Sequence, residues 1–276
     1  MFFKYIRYVL SISFDFAYNF PFFTRASHNP DRYSQKMRSD RVRHFIRNCN
    51  RKGFHMEFIV SGKENIPEGQ VLFTPNHVSN ADPIAMLALQ DKPIAFLAKK
   101  EVIKMPVIGK VVKTVGGRFI DRFDLRSEVK VFRQIDKDLQ NHPDLSYVVF
   151  PEGTRTQPPL YEVGTFHAGT FNIAVKRSMP IVPVCMYFTD RVLNTNYHYK
   201  VYPIQVRYLK PIMPEEYENM TTAEIAQKVQ KEIALNVEEM KTLDRDLVKK
   251  LNHYSDEKTN KVLMLPKYKK VKQIKG

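Results

Sequence analysis

The chain opens on a helical pattern that is richer in aromatic than in charged side chains. Over the first 24 residues, Lys4, Arg7, Ser11 and Asp15 share one face of a helix, while Phe2, Ile6, Val9, Leu10 and Ala17 lie largely elsewhere. Pro21 is expected to end this segment. A second helical pattern runs from Asp31 to Lys52. Its apolar positions are Tyr33, Met37, Val42, Phe45, Ile46 and Cys49, and Arg32, Lys36, Arg38, Arg41, Arg43, Arg47, Arg51 and Lys52 fill much of the remainder. Gly53 closes the pair. From there the period shortens to that of strands: Phe54 to Val60, then, after a turn over Ser61–Asn65, Gln70 to Thr74. A helix over 83–90 follows, and then a strand from Pro93 to Ala98. Pro106 and Gly109 punctuate the next stretch, and Val111 to Val115 leads into Gly116-Gly117. A helix is expected over Ser127–Leu139, a strand over Tyr147–Phe150, a Pro-containing loop over Thr156–Thr165 and a helix over 168–177. Strands Ile181–Phe188 and Gln205–Leu209 complete the core. Thr221-x-x-Glu224 is a capping box that opens a helix with the stripe Ile225, Val229, Ile233, Val237 and Met240.

Strands alternating with helices predict an α/β protein: a single domain with a mixed, partly parallel sheet flanked by helices, preceded by an N-terminal amphipathic two-helix platform. The expected division is 1–52 for membrane-interface helices, 53–215 for the α/β core, and 216–276 for C-terminal helices and a basic tail.

Charge sharpens the reading of the ends. Lys and Arg number 44 against 29 acids, a formal net charge of +15, which favours an anionic partner. No stretch of the first segment reaches the roughly 18 uncharged apolar residues that a spanning helix needs. Asp15 also interrupts any signal-peptide core. An aromatic amphipathic helix followed by a basic one fits a helix pair lying in an anionic membrane interface. The alternatives are an aromatic helix packed on the protein's own core and a solvated basic face. Lys267, Lys269, Lys270, Lys272 and Lys275 form a basic tail that suits the same surface. Nucleic acid would also suit the charge, but the chain has no helix-turn-helix, zinc-ligand or aromatic RNA-binding signature, and no nucleic-acid partner is expected. Cys49 and Cys185 stand far apart without partners at metal spacing, which leaves no disulfide framework and no zinc site to propose.

The candidate chemistry lies in three loops, each after a strand. Asn76-His77-Val78-Ser79-Asn80-Ala81-Asp82 puts a histidine and a carboxylate five residues apart. Histidine titrates near neutrality and can take the proton of a hydroxyl. A carboxylate can fix its tautomer. Asp82 can instead be the N-cap of the next helix, with Pro83 at its first position, or Ser79-x-x-Asp82 a capping-box variant. In each case His77 precedes the regular helix. The second loop is Gly116-Gly117-Arg118-Phe119-Ile120-Asp121-Arg122, and the third is Pro151-Glu152-Gly153-Thr154-Arg155. Arg122 and Arg155 carry planar forks suited to a phosphate, and Gly116, Gly117 and Gly153 allow close backbone approach. Loops at the carboxyl ends of parallel strands build sites in such sheets. Taken singly, each of these pieces is also ordinary turn or surface composition.

Together the loops resemble the glycerolipid acyltransferases, specifically the 1-acyl-glycerol-3-phosphate acyltransferase family. Its first block, Asn-His-x-Ser-x-x-Asp, matches Asn76, His77, Ser79 and Asp82. The second, Gly-x-x-Phe-Ile-Asp-Arg, matches Gly116, Phe119, Ile120, Asp121 and Arg122. The third, Phe-Pro-Glu-Gly-Thr-Arg, matches Phe150 through Arg155. The fourth, an apolar strand with Val-Pro-Val, matches Val182, Pro183 and Val184. A Lys-Lys-Glu stretch before a Pro and a Gly is present at Lys99 to Glu101, Pro106 and Gly109. The resemblance covers about residues 55–215.

It implies that His77 deprotonates the free hydroxyl of lysophosphatidic acid, with Asp82 holding and charge-balancing the ring. The alkoxide then attacks a thioester directly, without an acyl-enzyme, giving phosphatidic acid. Arg122 would bind the glycerol phosphate, Glu152, Gly153, Thr154 and Arg155 would form the acceptor site with Gly116, and Lys99 would add charge. Backbone N–H groups near Gly153 are the candidate oxyanion donors. The resemblance implies no bound cofactor and no metal, with acyl-CoA or acyl-carrier protein as the donor substrate, and a peripheral or monotopic position on the cytoplasmic face of a membrane. Glycerol 3-phosphate or another lysophospholipid is the alternative acceptor. The family often has Phe-Lys-x-Gly after the third block. Here it reads Phe166-His167-Ala168-Gly169, so the contact that a lysine would make is in question.

Overall fold

A computed structural model describes residues 2–121, 124–155, 162–194 and 197–263. Seven strands form one sheet: β1 (Met56–Ser61), β2 (Leu72–Pro75), β3 (Ile94–Lys99), β4 (Arg118–Ile120), β5 (Ser146–Val148), β6 (Ile181–Tyr187) and β7 (Tyr202–Tyr208), in the order β1-β7-β6-β2-β5-β3-β4. The five strands from β6 to β4 are mutually parallel. β7 runs antiparallel to β6, and β1 runs parallel to β7. The mixed sheet expected from the sequence is therefore present. All loops that follow β2 to β6 leave from one end of it.

The helices are α1 (Phe2–His28), α2 (Gln35–Cys49), α3 (Asp82–Leu89), α4 (Ile108–Thr114), α5 (Leu125–Asn141), α6 (Asn172–Arg177), α7 (Asp190–Leu193), α8 (Pro214–Tyr217), α9 (Thr222–Asn252) and α10 (Asp256–Leu263). The alternation of side chains along each strand divides the core. Phe73, Ile94, Phe96, Val148, Val182 and Val184 face one buried cluster, which takes Val42, Phe45 and Ile46 of α2 and Ala85 and Met86 of α3. Leu72, Ala95, Tyr147, Ile181 and Cys185 face the other, which takes Ile135 and Leu139 of α5 and the α9 stripe Ile225, Val229, Ile233, Val237 and Met240. The capping box is formed: Thr221 Oγ1 accepts from the Glu224 backbone N–H at 3.3 Å, and Glu224 accepts from the Thr221 N–H at 2.7 Å.

The N-terminal helices depart from expectation in two ways. Pro21 does not end α1, which continues through it to His28. A proline inside a helix costs about 3 kcal/mol. Here it is offset by burial beyond it: Phe23 and Ala26 are fully covered, and the Phe23 ring meets Phe45 of α2 edge-on at 5.2 Å. The second departure is the orientation of the helix. Asp15 points inward and is buried, bonded to Lys52 Nζ at 2.5 Å and to Asn48 Nδ2 at 3.2 Å. The face turned to solvent is apolar: Val9, Leu10, Phe14 and Tyr18 are 62–77% exposed. Gly53 does close the pair, through close approach. A Cβ there would sit 2.9 Å from Ser11 Oγ and 3.2 Å from Ile12 Cγ2 of α1. The left-handed turn that follows falls on His55 (φ 53°). β4, short and two-thirds polar or aromatic, lies where the sequence predicts a loop, and β7 begins earlier than Gln205. The tail from Lys267 to Lys275 and part of the loop from Thr156 lie outside the described residues.

Candidate active site

β2 ends at Pro75, and the chain then has to leave the sheet. Asn76 makes the exit possible. Its side-chain amide donates to the Met186 carbonyl at 3.0 Å, and its Oδ1 accepts from the Met186 N–H at 2.7 Å. The side chain thus takes the place of a peptide group beside β6, while the main chain turns away and delivers His77 to the open end of the sheet.

His77 Nδ1 lies 2.7 Å from Asp82 Oδ2. The same oxygen accepts from the backbone N–H groups of Val78 at 2.8 Å and Ser79 at 2.9 Å. These bonds fold the His77 loop back onto the start of α3, and the Ser79 hydroxyl adds a turn contact by accepting from Ala81 N–H at 3.0 Å; no capping box forms, because the N-cap of α3 is Ala81. Asp82 is therefore the first residue of α3, not its N-cap. Its other oxygen accepts from the Thr189 hydroxyl, at the end of β6. Asp82 and Thr189 are fully buried, and His77 is partly buried. An acceptor at Nδ1 fixes that nitrogen as the protonated one, so the ring presents the Nε2 lone pair. The imidazole also stacks on Phe150, with centroids 4.3 Å apart and planes 28° apart.

Glu152 holds the histidine from the other side. Its Oε1 accepts from the His77 backbone N–H at 2.7 Å, and its Oε2 from Gly164 N–H at 3.0 Å. The carboxylate is buried, so it acts on the shape of the loops. Gly153 adopts φ 62°, and its N–H donates to the Phe150 carbonyl at 3.0 Å. That bond closes the turn and commits the Gly153 N–H itself, leaving the expectation of an oxyanion donor to the other backbone N–H groups near it. Thr154 and Arg155 are exposed beyond it.

The second loop is braced from below. Gly116 sits at φ 84°, and its carbonyl accepts from the Tyr147 hydroxyl at 3.2 Å. The same hydroxyl proton is shared with Asp138, 2.9 Å away, and Asp138 receives Arg118 bidentately at 2.6 and 2.5 Å. From the α2 side, Gln35 donates to the Val115 carbonyl at 2.8 Å and Arg38 to the Thr114 carbonyl at 2.9 Å. Lys99 is exposed at the end of β3, and neighbouring Lys100 pairs with Asp121. Arg122 lies outside the described residues. His167 is exposed, with its N–H on the Pro151 carbonyl at 3.0 Å.

The fold thus brings His77, Asp82, Glu152 and Gly153 together and places Lys99 at the same end of the sheet. Gly116, expected in the acceptor site, instead precedes β4 and lies level with Ala95 of the parallel β3, away from His77, because residues 118–120 are strand and only the residues after Ile120 form the loop at the site end. Thr189 and the structural role of Asn76 were not read from the sequence. The available signal for Thr189 was a polar residue directly after a core strand. Among the described residues, no cluster of His, Cys, Asp and Glu has the geometry to hold a metal.

A histidine–carboxylate pair at the open end of parallel strands, beside backbone turns and cations, can chemically take the proton of a hydroxyl. Residues 57–187 match the family model described as Acyltransferase. It is 28% identical over 192 residues to a protein of Mycoplasma pneumoniae described as a probable 1-acyl-sn-glycerol-3-phosphate acyltransferase, covering 65% of this chain and 70% of that one. It is 28% identical over 142 residues to the 1-acyl-sn-glycerol-3-phosphate acyltransferase of Borreliella burgdorferi, covering 51% of this chain and 55% of that one. The fold is similar to the crystal structure of the 1-acyl-sn-glycerophosphate (LPA) acyltransferase of Thermotoga maritima, with a TM-score of 0.66 and 24% identity over 86% of this chain and 98% of that one.

Proposed function

We propose that this protein transfers a fatty acyl group from a thioester to the free hydroxyl of lysophosphatidic acid, forming phosphatidic acid. The observation that carries the reading is the 2.7 Å contact between His77 Nδ1 and a buried Asp82 whose two oxygens are held by Val78, Ser79 and Thr189. Nε2 takes the acceptor's hydroxyl proton as that oxygen bonds to the acyl carbon. The thioester C–S bond breaks from the tetrahedral intermediate, and the thiolate leaves with the proton returned by the imidazolium. No acyl-enzyme is formed. Arg122, Arg155 and Lys99 are proposed to hold the acceptor's phosphate, with Gly153 and Thr154 shaping the loop beside it. Acyl-CoA or acyl-carrier protein is the proposed donor, and no cofactor takes part.

The acceptor is proposed to be met in a membrane surface, with residues 1–52 as the interfacial unit, 53–215 as the catalytic core and 216–276 as C-terminal helices and tail. Support comes from the outward apolar face of α1 and from the basic excess of the chain. No helix of the described residues is long and apolar enough to cross a membrane. The proposed position is peripheral or monotopic on the cytoplasmic face.

The test is transfer from labelled acyl-CoA and acyl-carrier protein to a panel of lysophosphatidic acid, other lysophospholipids and glycerol 3-phosphate. Lysophosphatidic acid should be the preferred acceptor, and His77→Ala should lower turnover by ~10²–10⁴-fold with the fold intact by circular dichroism. Turnover of His77→Ala within about tenfold of the parent would remove the base from the mechanism.

A further inference from the structure

Large apolar side chains that stand in solvent gather in two places among the described residues. One is the outward face of α1. The other is the turn that joins β3 to α4, where Ile103, Met105 and Ile108 are 46%, 40% and 44% exposed. This turn is not loose. Met105 N–H donates to the Val102 carbonyl at 3.0 Å, and Gly109 N–H to the Met105 carbonyl at 2.9 Å. A Cβ on Gly109 would come within 2.8 Å of the carbonyl oxygens of both Val102 and Ile103, so the start of α4 is closed tightly over the turn. The backbone is satisfied within itself, and the three apolar side chains are held outward.

Their surroundings name the partner. Between residues 99 and 113 the chain carries Lys99, Lys100, Lys104, Lys110 and Lys113 against a single acid, Glu101. The turn leaves the carboxyl end of β3, the end of the sheet that carries His77. α4 lies against α1: Lys110 Nζ stands 5.4 Å from the Phe20 ring centroid, and Thr114 Oγ1 donates to the Phe23 carbonyl at 3.3 Å. Apolar tips ringed by lysines match an anionic bilayer, with the tips in the acyl boundary and the ammonium groups among the phosphates. An aqueous protein partner would have to cover three aliphatic side chains and the lysine rim together.

We propose that the Val102–Ile108 turn is a second bilayer contact, distinct from α1, that seats the loop end of the sheet on an anionic membrane surface. It rests on the interfacial reading of the protein. With both contacts engaged, the site mouth faces the lipid surface in a fixed orientation; with α1 alone, the whole protein is free to roll about the axis of that helix.

The chain contains no tryptophan, so one introduced indole reports its own surroundings. Met105→Trp and Ile108→Trp, made separately in the full chain, should show an emission blue shift on phosphatidylglycerol vesicles and quenching by brominated acyl chains. Leu235→Trp, at an exposed position on α9, should show neither. Phe14→Trp reports the α1 contact. If Phe14→Trp shifts while both turn variants stay in water, the second contact is refuted and the interfacial reading stands. If none of the three shifts, both are refuted. If the turn variants shift on adding acidic acyl-carrier protein without lipid and not on vesicles, the surface is a protein dock and the proposal is overturned.

Discussion

At the scale of single residues, Asp82 is the most constrained group in the site. It joins α3, the His77 loop and the end of β6 through one carboxylate. Thr189 is its hydrogen-bond donor from β6, and removing one donor from a buried charged acceptor costs about 1.5–3 kcal/mol. Thr189→Val should therefore lower the rate of transfer by about 10–100-fold, while Thr189→Ser restores most of it. Steady-state kinetics of the two variants side by side would check this. The cysteines present the opposite case, reactive groups made inert by the core. Burial pushes the Cys49 thiol up to about 12, with nearby Asp15 adding to the shift, and burial raises Cys185 likewise. A thiol is nucleophilic as the thiolate. Neither cysteine should react with a disulfide reagent in the native protein at pH 8, and both should react once the chain is unfolded in guanidinium.

At the scale of elements, the sequence was most legible where pattern and burial agree. The α9 stripe, its capping box, and the strands that became β1, β2, β3, β5 and β6 all fall within a few residues of expectation. Continuous apolar runs such as Ile181–Tyr187 are buried on both faces, so tertiary context reinforces local preference. The reading failed where contacts distant in sequence override a local signal. Pro21 is a strong breaker locally, but Phe23 and Ala26 are fixed under α2 and α4, and the helix persists. Asp15 looked like part of a solvated polar face, yet Lys52 and Asn48, more than 30 positions later in the chain, draw it inward. Among the site residues, spacing alone suggested the His77–Asp82 pair, because the two are local. Thr189 meets Asp82 only through sheet order, which no local pattern carries. The exposed Pro21 also offers a measurement. Pro21→Ala restores a main-chain donor within a formed helix and should stabilise the protein by up to about 3 kcal/mol, seen as a rise in the thermal midpoint. A fall would mean that the ring's packing outweighs the missing bond.

At the scale of the whole molecule, the direction of β1 and β7 sets where the N-terminal helices join the core. Both run opposite to the other five strands. The first residue of β1, Met56, therefore lies at the end of the sheet where β2, β3, β5 and β6 finish, and the chain coming from α2 enters the core on the side of the catalytic loops. The outward apolar face of α1 and the lysine-rimmed turn after β3 are tied to that same end. A consequence concerns how substrate is counted. An enzyme seated this way encounters its acceptor by lateral diffusion in two dimensions, so the variable that governs the rate is the mole fraction of acceptor in the surface, not its amount per volume of solution. Diluting lysophosphatidic acid with an inert anionic lipid at fixed bulk concentration should slow transfer, whereas adding more vesicles of the same composition should leave the rate per bound enzyme unchanged. On that reading the reversed strand pair, a matter of topology, is what places the candidate site at the surface in which the acceptor is counted.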